Sequence, residues 1–587
     1  MKSLRPARRK CSLAVWSVVI GVLAWSAGAY AAPAAGRLVG APPQPIPNAK
    51  VAIRIARLDQ LLPDLEAFLK PLAPSMNAAA IRAQIGNMLG DPTLANLDQT
   101  RPIAFVVFEL PKGTTEPLGI AALLPVKNDA YVKTFQARGV LTYLPQGGKT
   151  LLLAQGEPTM VLARQNMKSL EALVNEAVPG DVMAYVDLAG LMTRFEKEIN
   201  GGLRQLTMAM QAAGQPAGAA QLLDLEVRAL ASVLRDIQDV ALRLDVTGQA
   251  LDISKSLQAK AGSGLAPVLD QPAVNPAVLG FLPGKGAITG IVSMNDATAK
   301  YAQAKMDEVL AQANTSPSLT AEQRATLKDF IGRAMSLQKT VAADILFADA
   351  TTGGLSGVTV SEVTDPGAYL SFMREQEALM KKSGLLSMYQ GMGMDMQIKF
   401  EEKVRTHNDV PIHRFTQKFD MKGMAGMPPE AAGFMSMFTN LSTELAVVGN
   451  YVIGGLGGGQ QIDAVIDAVK AKKPMSQGTL AAQPLLKESF LLADVHLTRL
   501  VGWLFGMLGP MMGPMLDTPE MRKLAEQLRT AQVKPVALAV AADNGILQAR
   551  LVVPNEPIAR IVDMVKTAFT PIPPGATPGA PPAPPKP

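Results

Sequence analysis

The sequence predicts an α+β protein of tandem duplicated antiparallel sheets, with helices packed on one face of each sheet. Three patterns predict this fold. A short apolar strand leads into a helix four times, a strand–turn–strand hairpin leads into another helix four times, and two of these units recur at constant spacing. Strands joined by tight turns pair antiparallel, and the intervening helices cover the sheet. The repeating module is therefore strand–helix–hairpin–helix.

The strands that open the modules are short apolar runs, as expected of strands beside a core. The leading strands begin at Val51, Val182, Ala287 and Leu491, and the hairpins begin at Ile103, Val240, Ala342 and Val536. Leu58, Leu61 and Leu65 follow the first strand at helical spacing. The last hairpin turns at residues 543–545, Asp-Asn-Gly, which tolerate the positive φ of a tight turn.

Spacing along the chain indicates an internal repeat. Ala287 lies 236 residues after Val51, and the helix cap Asp365 lies 236 residues after the cap Asp129. A constant offset of this kind is typical of duplicated units. Further on, the alternation of Ile398 with charged neighbours predicts a sheet that is solvated on one face.

The duplication predicts two halves, at residues 49–270 and 278–567. Residues 262–276, rich in proline and glycine, form the boundary between them. The second half is expected to contain a methionine-rich insertion at about residues 373–444. Residues 568–587 are proline-rich and are expected to form a disordered tail, because such a sequence buries no core.

A further pair of matching segments is expected between the modules of each half. Residues 151–154 and 160–163 are predicted as strands before a helix, and they correspond to residues 445–448 and 451–453. Leu445 lies 294 residues after Leu151, compared with the offset of 236 found earlier. The insertion therefore accounts for about sixty residues.

The N-terminus has the pattern of a signal peptide at residues 1–31. Five basic residues precede an apolar stretch at residues 12–27, and Ala29 and Ala31 supply the small residues of a cleavage site. We expect cleavage after Ala31, a linker at residues 32–48, and a location in the periplasm or cell envelope. The alternative is an uncleaved inner-membrane signal anchor, which would be the chain's only membrane contact.

Removal of the leader changes the charge and the cysteine content. The leader carries five of the 56 Lys and Arg residues and none of the 50 Asp and Glu residues. The mature chain therefore has 51 basic and 50 acidic residues. This balance argues against a nucleic-acid partner. The single cysteine, Cys11, would be removed with the leader. The mature chain is therefore expected to have no disulfide, no thiolate metal site and no cysteine nucleophile.

No catalytic or cofactor motif stands out. The glycine-rich residues 454–459 resemble a phosphate-binding turn, but the matching turn at residues 163–166 has no glycine, which favours a structural role. His407, His413 and His496 lack metal-ligand spacing, and no Gly-x-Ser-x-Gly motif marks a nucleophile. Aspartates recur near strand ends in several copies, which indicates helix capping.

Methionines supply the remaining candidates. Thioethers bind Cu(I), and the alternate-residue run Met392, Met394 and Met396 is the copper candidate. Methionine also suits adaptable apolar surfaces, and the candidates for a ligand or partner surface are Met424, Met427, Met435 and Met437. The third alternative is ordinary core packing.

The strand-to-helix entries Leu58-Asp-Gln-Leu61 and Asp187-Leu-Ala-Gly-Leu191, together with the paired hairpins, resemble exported bacterial proteins grouped under domains of unknown function. The resemblance covers most of the mature chain and implies an envelope location. It implies no activity and no site residues, and the methionine-rich insertion departs from it.

The leading functional hypothesis is a non-enzymatic envelope protein that binds a lipid-like ligand or another envelope protein through apolar faces of its sheets. The first alternative is a structural or scaffolding protein without a ligand. The second is a hydrolase of unknown class. No cofactor is expected.

Overall fold

The computed structural model describes residues 46–71, 73, 77–114, 116–176, 180–199, 201–202, 205, 228–312, 320–347, 355–391, 395–420, 440–457, 460–511 and 518–569. Within these ranges 18 strands pair antiparallel in one sheet, and helices pack against it. The predicted α+β class is confirmed. The expected signal peptide lies outside the described residues, and so does the linker apart from residues 46–48.

The elements before the boundary are short strands interrupted by helices. They are β1 (Ala49–Ile55), α1 (Leu58–Leu69), α2 (Ala78–Leu89), β2 (Ile103–Glu109), β3 (Leu118–Pro125), α3 (Ala130–Ala137), β4 (Leu141–Tyr143), β5 (Thr150–Ala154), α4 (Glu157–Gln165), α5 (Met167–Asn175), β6 (Val182–Val186), α6 (Leu188–Arg194), β7 (Ile237–Val246) and β8 (Ala250–Ala259). A further helix at residues 228–235 precedes β7.

The elements after the boundary follow two 3₁₀ turns at Ala266–Leu269 and Pro276–Phe281. They are β9 (Ile288–Ser293), α7 (Asp296–Gln312), α8 (Ala321–Ser336), β10 (Gln338–Phe347), β11 (Leu355–Val363), α9 (Pro366–Lys382), α10 (Leu385–Gly391), β12 (Asp395–His407), β13 (Val410–Asp420), β14 (Asn440–Val448), β15 (Tyr451–Leu456), α11 (Gln460–Ala471), β16 (Ser489–Val495), α12 (Leu497–Met511), α13 (Pro519–Thr530), β17 (Val536–Asp543), β18 (Ile546–Pro554) and α14 (Asn555–Phe569). Because α14 continues to Phe569, the helix extends two residues into the expected tail.

All 18 strands lie in one continuous order. Strand pairing runs β4–β5–β3–β2–β1–β6–β7–β8–β18–β17–β16–β9–β10–β11–β15–β14–β13–β12. The expectation of a separate sheet for each half is therefore wrong. The reason is the pairing of β8 with β18, in which Ala250 lies opposite Pro554 and Gln258 lies opposite Ile546. This pairing satisfies the backbone groups on the outer edges of the hairpins β7–β8 and β17–β18.

Helices cover both faces of the sheet, so the prediction that they pack on one face is also wrong. In β5 Leu151 packs in the core formed with α1, α2 and α3, while its neighbour Leu152 packs in the core formed with α4 and α5. All five residues of β5 are buried. A strand that is apolar on both faces requires cover on both faces.

The predicted strand at residues 160–163 is wrong as well, because these residues belong to helix α4. Gly156, with φ of 82°, ends the extended chain after β5, and Glu157 and Pro158 begin the helix. Proline and an acidic side chain both favour the first turn of a helix. The matching segments of the second half do form strands, β14 and β15.

Within the predicted insertion, β12 and β13 form a hairpin at one end of the sheet. β12 and β13 span 13 and 11 residues, and β12 pairs within the described chain with β13 alone. Its exposed positions include Lys399, and Lys403 adopts a φ of 51° at a bulge between Glu401 and Arg405. Charged side chains and a bulge both disfavour pairing of an edge strand with another chain.

Candidate functional site

The methionine candidates are only partly described by the structure. Met396 is buried at the start of β12, with 8% of its surface exposed, and packs in an apolar cluster with Met380 and Phe415. Its side chain therefore serves the core. Met392 and Met394 lie outside the described residues, and so do the surface candidates Met424, Met427, Met435 and Met437.

The three histidines belong to different structural settings. His413 is buried and stacks on Phe400 with ring centroids 5.5 Å apart, and burial lowers its pKa. His407 Nε2 lies 2.9 Å from Asp467 Oδ1 of α11. His496 immediately precedes α12, and burial lowers its pKa to about 4. Across the described ranges, His, Cys, Asp and Glu side chains form no group of three that would hold a metal ion.

Part of the glycine-rich segment lies in β15, which differs from the expected turn. A Cβ on Gly454 would lie 2.5 Å from Thr359 Oγ1, and one on Gly455 would lie 3.1 Å from Ile462 Cβ. Glycine at both positions thus permits the close approach of β15 to β11 and α11. Gly458 and Gly459 lie outside the described residues.

A candidate site is a cavity of about 320 Å³ over the middle of the sheet. Its floor is formed by strands from both sides of the β8–β18 pair. The floor residues are Ile237 of β7, Leu257 of β8, Leu547 of β18, Val292 of β9 and Phe490 of β16. Residues far apart in the sequence therefore build this cavity together.

Two helices and the boundary segment form the walls. The 228–235 helix contributes Leu230, Val233 and Leu234, α7 contributes Tyr301 and Ala302, and the boundary contributes Leu265, Val268 and Leu269. Lys305 of α7 forms an ion pair with Asp236 at 2.8 Å, and Tyr301 Oη donates to the same carboxylate at 2.8 Å. These contacts hold α7 against the end of the 228–235 helix.

The lining is apolar apart from four neutral polar side chains, Gln271, Ser293, Thr298 and Tyr301. The Ser293 hydroxyl donates to the Pro272 carbonyl, so its proton is engaged. None of the lining residues that the structure describes carries a formal charge. Apolar walls with a few placed polar groups are typical of sites for small organic ligands.

The buried amide oxygen of Gln271 is the exception to this satisfied polar lining. Oε1 has no hydrogen-bond partner in the described part of the chain, whereas Nε2 donates to Val268 O at 2.7 Å and Thr298 Oγ1 at 2.8 Å. Buried acceptors in proteins are almost always paired. Gln271 Oε1 is closed to solvent, so it offers no contact point to a ligand in the cavity.

Lys255 of β8 is a buried cation on the same sheet face as Leu257, two residues away. It is 5% exposed, and burial lowers its pKa to about 8 from an ordinary value of 10.5. Because the fold disfavours its charged form, the unfolded chain binds more protons between pH 8 and 10.5. Stability should therefore rise with pH across this window.

We expect Lys255→Met to remove this rise, because methionine does not titrate. The free energy of unfolding of the variant, relative to that of the wild type, should therefore be about 3 kcal/mol higher at pH 7 than at pH 10.5. Urea unfolding at pH 7, 9 and 10 measures this dependence. Lys260→Met, at an exposed position just beyond the same strand, is the matched control. A pH-independent difference would contradict the assignment.

Little in the sequence indicated this cavity. Its walls include the proline- and glycine-rich boundary at residues 262–276, which we expected to serve only as a connection. The apolar residues of the floor are ordinary core residues in sequence. Their shared exposure to one cavity depends on the pairing of β8 with β18, which joins residues about 300 positions apart.

Comparison with protein-family models, curated proteins and solved structures found no match to this chain. The resemblance to exported proteins of unknown function therefore stays a prediction. Among the helices that the structure describes, none combines the length and hydropathy needed to cross a bilayer.

Proposed function

We propose that this protein is a non-enzymatic binding protein for a small, largely apolar ligand, held in the cavity over the β8–β18 pair. The observation that carries the proposal is the cavity itself, about 320 Å³ in volume and lined by residues without formal charge. This volume falls in the range of about 300–1,000 Å³ that is usual for small-molecule sites.

Burial of apolar surface would provide the binding energy. Each Å² of apolar ligand surface removed from water contributes roughly 25 cal/mol before the costs of association. The pairing of α7 with the 228–235 helix supplies walls that are present before the ligand arrives. A preformed site reduces the ordering cost of binding.

The strand order supports a tandem duplication as the origin of this architecture. Outward from β8 the order is β7, β6, β1, β2, β3, β5 and β4, and outward from β18 it is β17, β16, β9, β10, β11, β15 and β14. Each position thus has a counterpart until β13 and β12. We propose that two related halves meet at β8–β18 and enclose the ligand where they join.

The cellular setting is also a proposal. The leader at residues 1–31 supports export, with the mature protein in the periplasm or cell envelope. A lipid-like molecule of the envelope would match the apolar lining. The alternative of a scaffold without a ligand is supported by the long hairpin β12–β13, which extends one end of the sheet.

Titration with N-phenyl-1-naphthylamine tests the proposed function, because this neutral probe fluoresces strongly in apolar surroundings. We expect one saturable site per chain and, at a free probe concentration 100 times the dissociation constant, stabilisation of about 2.7 kcal/mol against unfolding. Native mass spectrometry of detergent-free protein should show one bound probe. Non-saturable fluorescence, without any stabilisation, would contradict the proposal.

A further inference from the structure

We propose that the cavity over the β8–β18 pair holds one unbranched hydrocarbon chain of roughly 12–13 carbon atoms, lying across the strands beneath α7. This inference rests on the proposed function and names the class of ligand that the same cavity accepts. It follows from the path of α7 over the sheet and from the volume of the cavity, which indicate the same chain length.

Helix α7 crosses the sheet from β9 to the 228–235 helix. Just after β9, Asn295 Nδ2 donates to Asp270 O at 2.8 Å. About three turns later, Lys305 Nζ pairs with Asp236 at 2.8 Å and donates to the Ser232 carbonyl at 3.3 Å. Asp236 immediately precedes β7. The helix therefore roofs the cavity from the end of β9 to the beginning of β7, a length of about 15 Å at 1.5 Å per residue.

The floor of the cavity extends in the same direction. Lining residues come from β7, β8, β18, β16 and β9, and these strands together with β17 are consecutive in the sheet. Neighbouring strands lie about 4.8 Å apart, so the floor covers roughly 24 Å of sheet. The cavity is therefore elongated across the strands, and the shorter roof sets the length that is enclosed.

The lining is apolar from one end of this axis to the other. Val233 of the 228–235 helix lines the end at β7, and Val292 of β9 lines the opposite end. Between them, Leu257 and Leu547 lie opposite each other in the β8–β18 pair. A hydrocarbon chain would meet the same kind of surface along its whole length, which suits a uniform string of methylene groups.

Length and volume indicate the same size of chain. An extended chain advances roughly 1.2 Å per bond, so an enclosed length of about 15 Å accommodates about 13 carbon atoms. An apolar cavity of about 150 Å³ holds one benzene molecule, and on that scale a cavity of 320 Å³ holds about 13 carbon atoms. Since one extended chain accounts for the whole volume, no room remains for a second chain beside it.

An elongated cavity discriminates between ligands of equal composition. Each methylene that enters should strengthen binding about fourfold, whereas one that extends beyond the enclosed length stays in water and adds little. A branched isomer is shorter and wider than the linear chain. It would leave the ends of the cavity unfilled and press against the roof and floor, and both effects weaken binding.

Competition against bound N-phenyl-1-naphthylamine tests the preference for chain length and shape. From 1-hexanol to 1-dodecanol we expect affinity to rise about fourfold per carbon, with less than about fourfold in total from 1-dodecanol to 1-tetradecanol. The branched isomer 2-butyl-1-octanol should compete about tenfold less well than 1-dodecanol. Equal competition by these two isomers, or an undiminished rise through 1-tetradecanol, would overturn the inference.

Filling either end of the cavity tests whether the chain spans it. Val233→Phe and Val292→Phe each add about four carbon atoms of volume at opposite ends. Both should end the rise in affinity about four carbons earlier while 1-hexanol still binds as in the wild type. Alcohol-dependent stabilisation against urea measures this without the probe. Ala304→Phe, at an exposed position of α7, should keep the wild-type limit. An unchanged limit in either end-filling variant would contradict a spanning chain.

The two proposals fail in different ways. If the probe binds at one saturable site but the two isomers compete equally, the cavity is a binding site and the preference for a linear chain is wrong. If the probe does not bind at a saturable site, the proposed function itself is wrong. The comparison of isomers in the wild-type protein decides the inference even if an end-filling variant fails to fold.

Discussion

Ala302→Phe is expected to weaken binding of N-phenyl-1-naphthylamine by about 100-fold, which corresponds to roughly 2.8 kcal/mol. Ala302 lines the cavity from α7, and a phenyl ring at this position would occupy the space that the ligand needs. The same ring adds apolar contacts within an existing cavity, so the free energy of unfolding should change by less than about 1 kcal/mol. Fluorescence titration and urea unfolding measure the two effects separately.

The control on the same helix is Ala304→Phe, because Ala304 is exposed and does not line the cavity. It should bind the probe as the wild type does. Val292→Phe fills the cavity from the sheet floor and should reproduce the loss seen with Ala302→Phe. Wild-type affinity in both cavity-filling variants, with both proteins folded, would place the probe elsewhere and contradict the proposed site.

Asp344→Ala is expected to lower the free energy of unfolding by about 3–5 kcal/mol. Asp344 is only 1% exposed. Its carboxylate accepts hydrogen bonds from the backbone N–H groups of Lys285 and Gly286 at 3.0 and 2.9 Å. Thr289 Oγ1 donates to it at 2.6 Å. Removal of the carboxylate leaves three donors without their acceptor in the segment that enters β9.

Urea unfolding of Asp344→Ala and Asp365→Ala provides a matched comparison. Asp365 caps α9 through the N–H of Ala368 at 3.0 Å and is exposed, so its loss should cost about 1 kcal/mol. Asp344→Asn retains one acceptor oxygen and should lie between the two. A cost for Asp344→Ala no greater than that for Asp365→Ala would show that the segment before β9 does not depend on this carboxylate.

Much of the secondary structure was predictable because its signals are local. The hairpin of β17 and β18 turns at Asn544 and Gly545, both with positive φ, as the Asp-Asn-Gly motif predicted. Strand β2 was also predicted correctly from its apolar run. Turn chemistry and side-chain alternation act over a few residues, so a single sequence contains them.

The errors arose where local pattern was ambiguous. Residues 160–163 are apolar enough for a strand, but Gly156 and Pro158 set the chain into helix α4. Residues 151–153 are three consecutive leucines, and they mark a strand covered on both faces rather than on one. A short apolar run has the same appearance in a buried helix and in a buried strand.

Composition and periodicity were enough to predict the α+β class and most strands, since each depends on neighbours in the chain. The cavity was decided by tertiary structure. Pairing of β8 with β18 brings together residues about 300 positions apart, and the Gln271 amide contacts Thr298 only because the boundary segment packs beside α7. Contacts of this kind depend on geometry across the whole sheet, which no short stretch of sequence specifies.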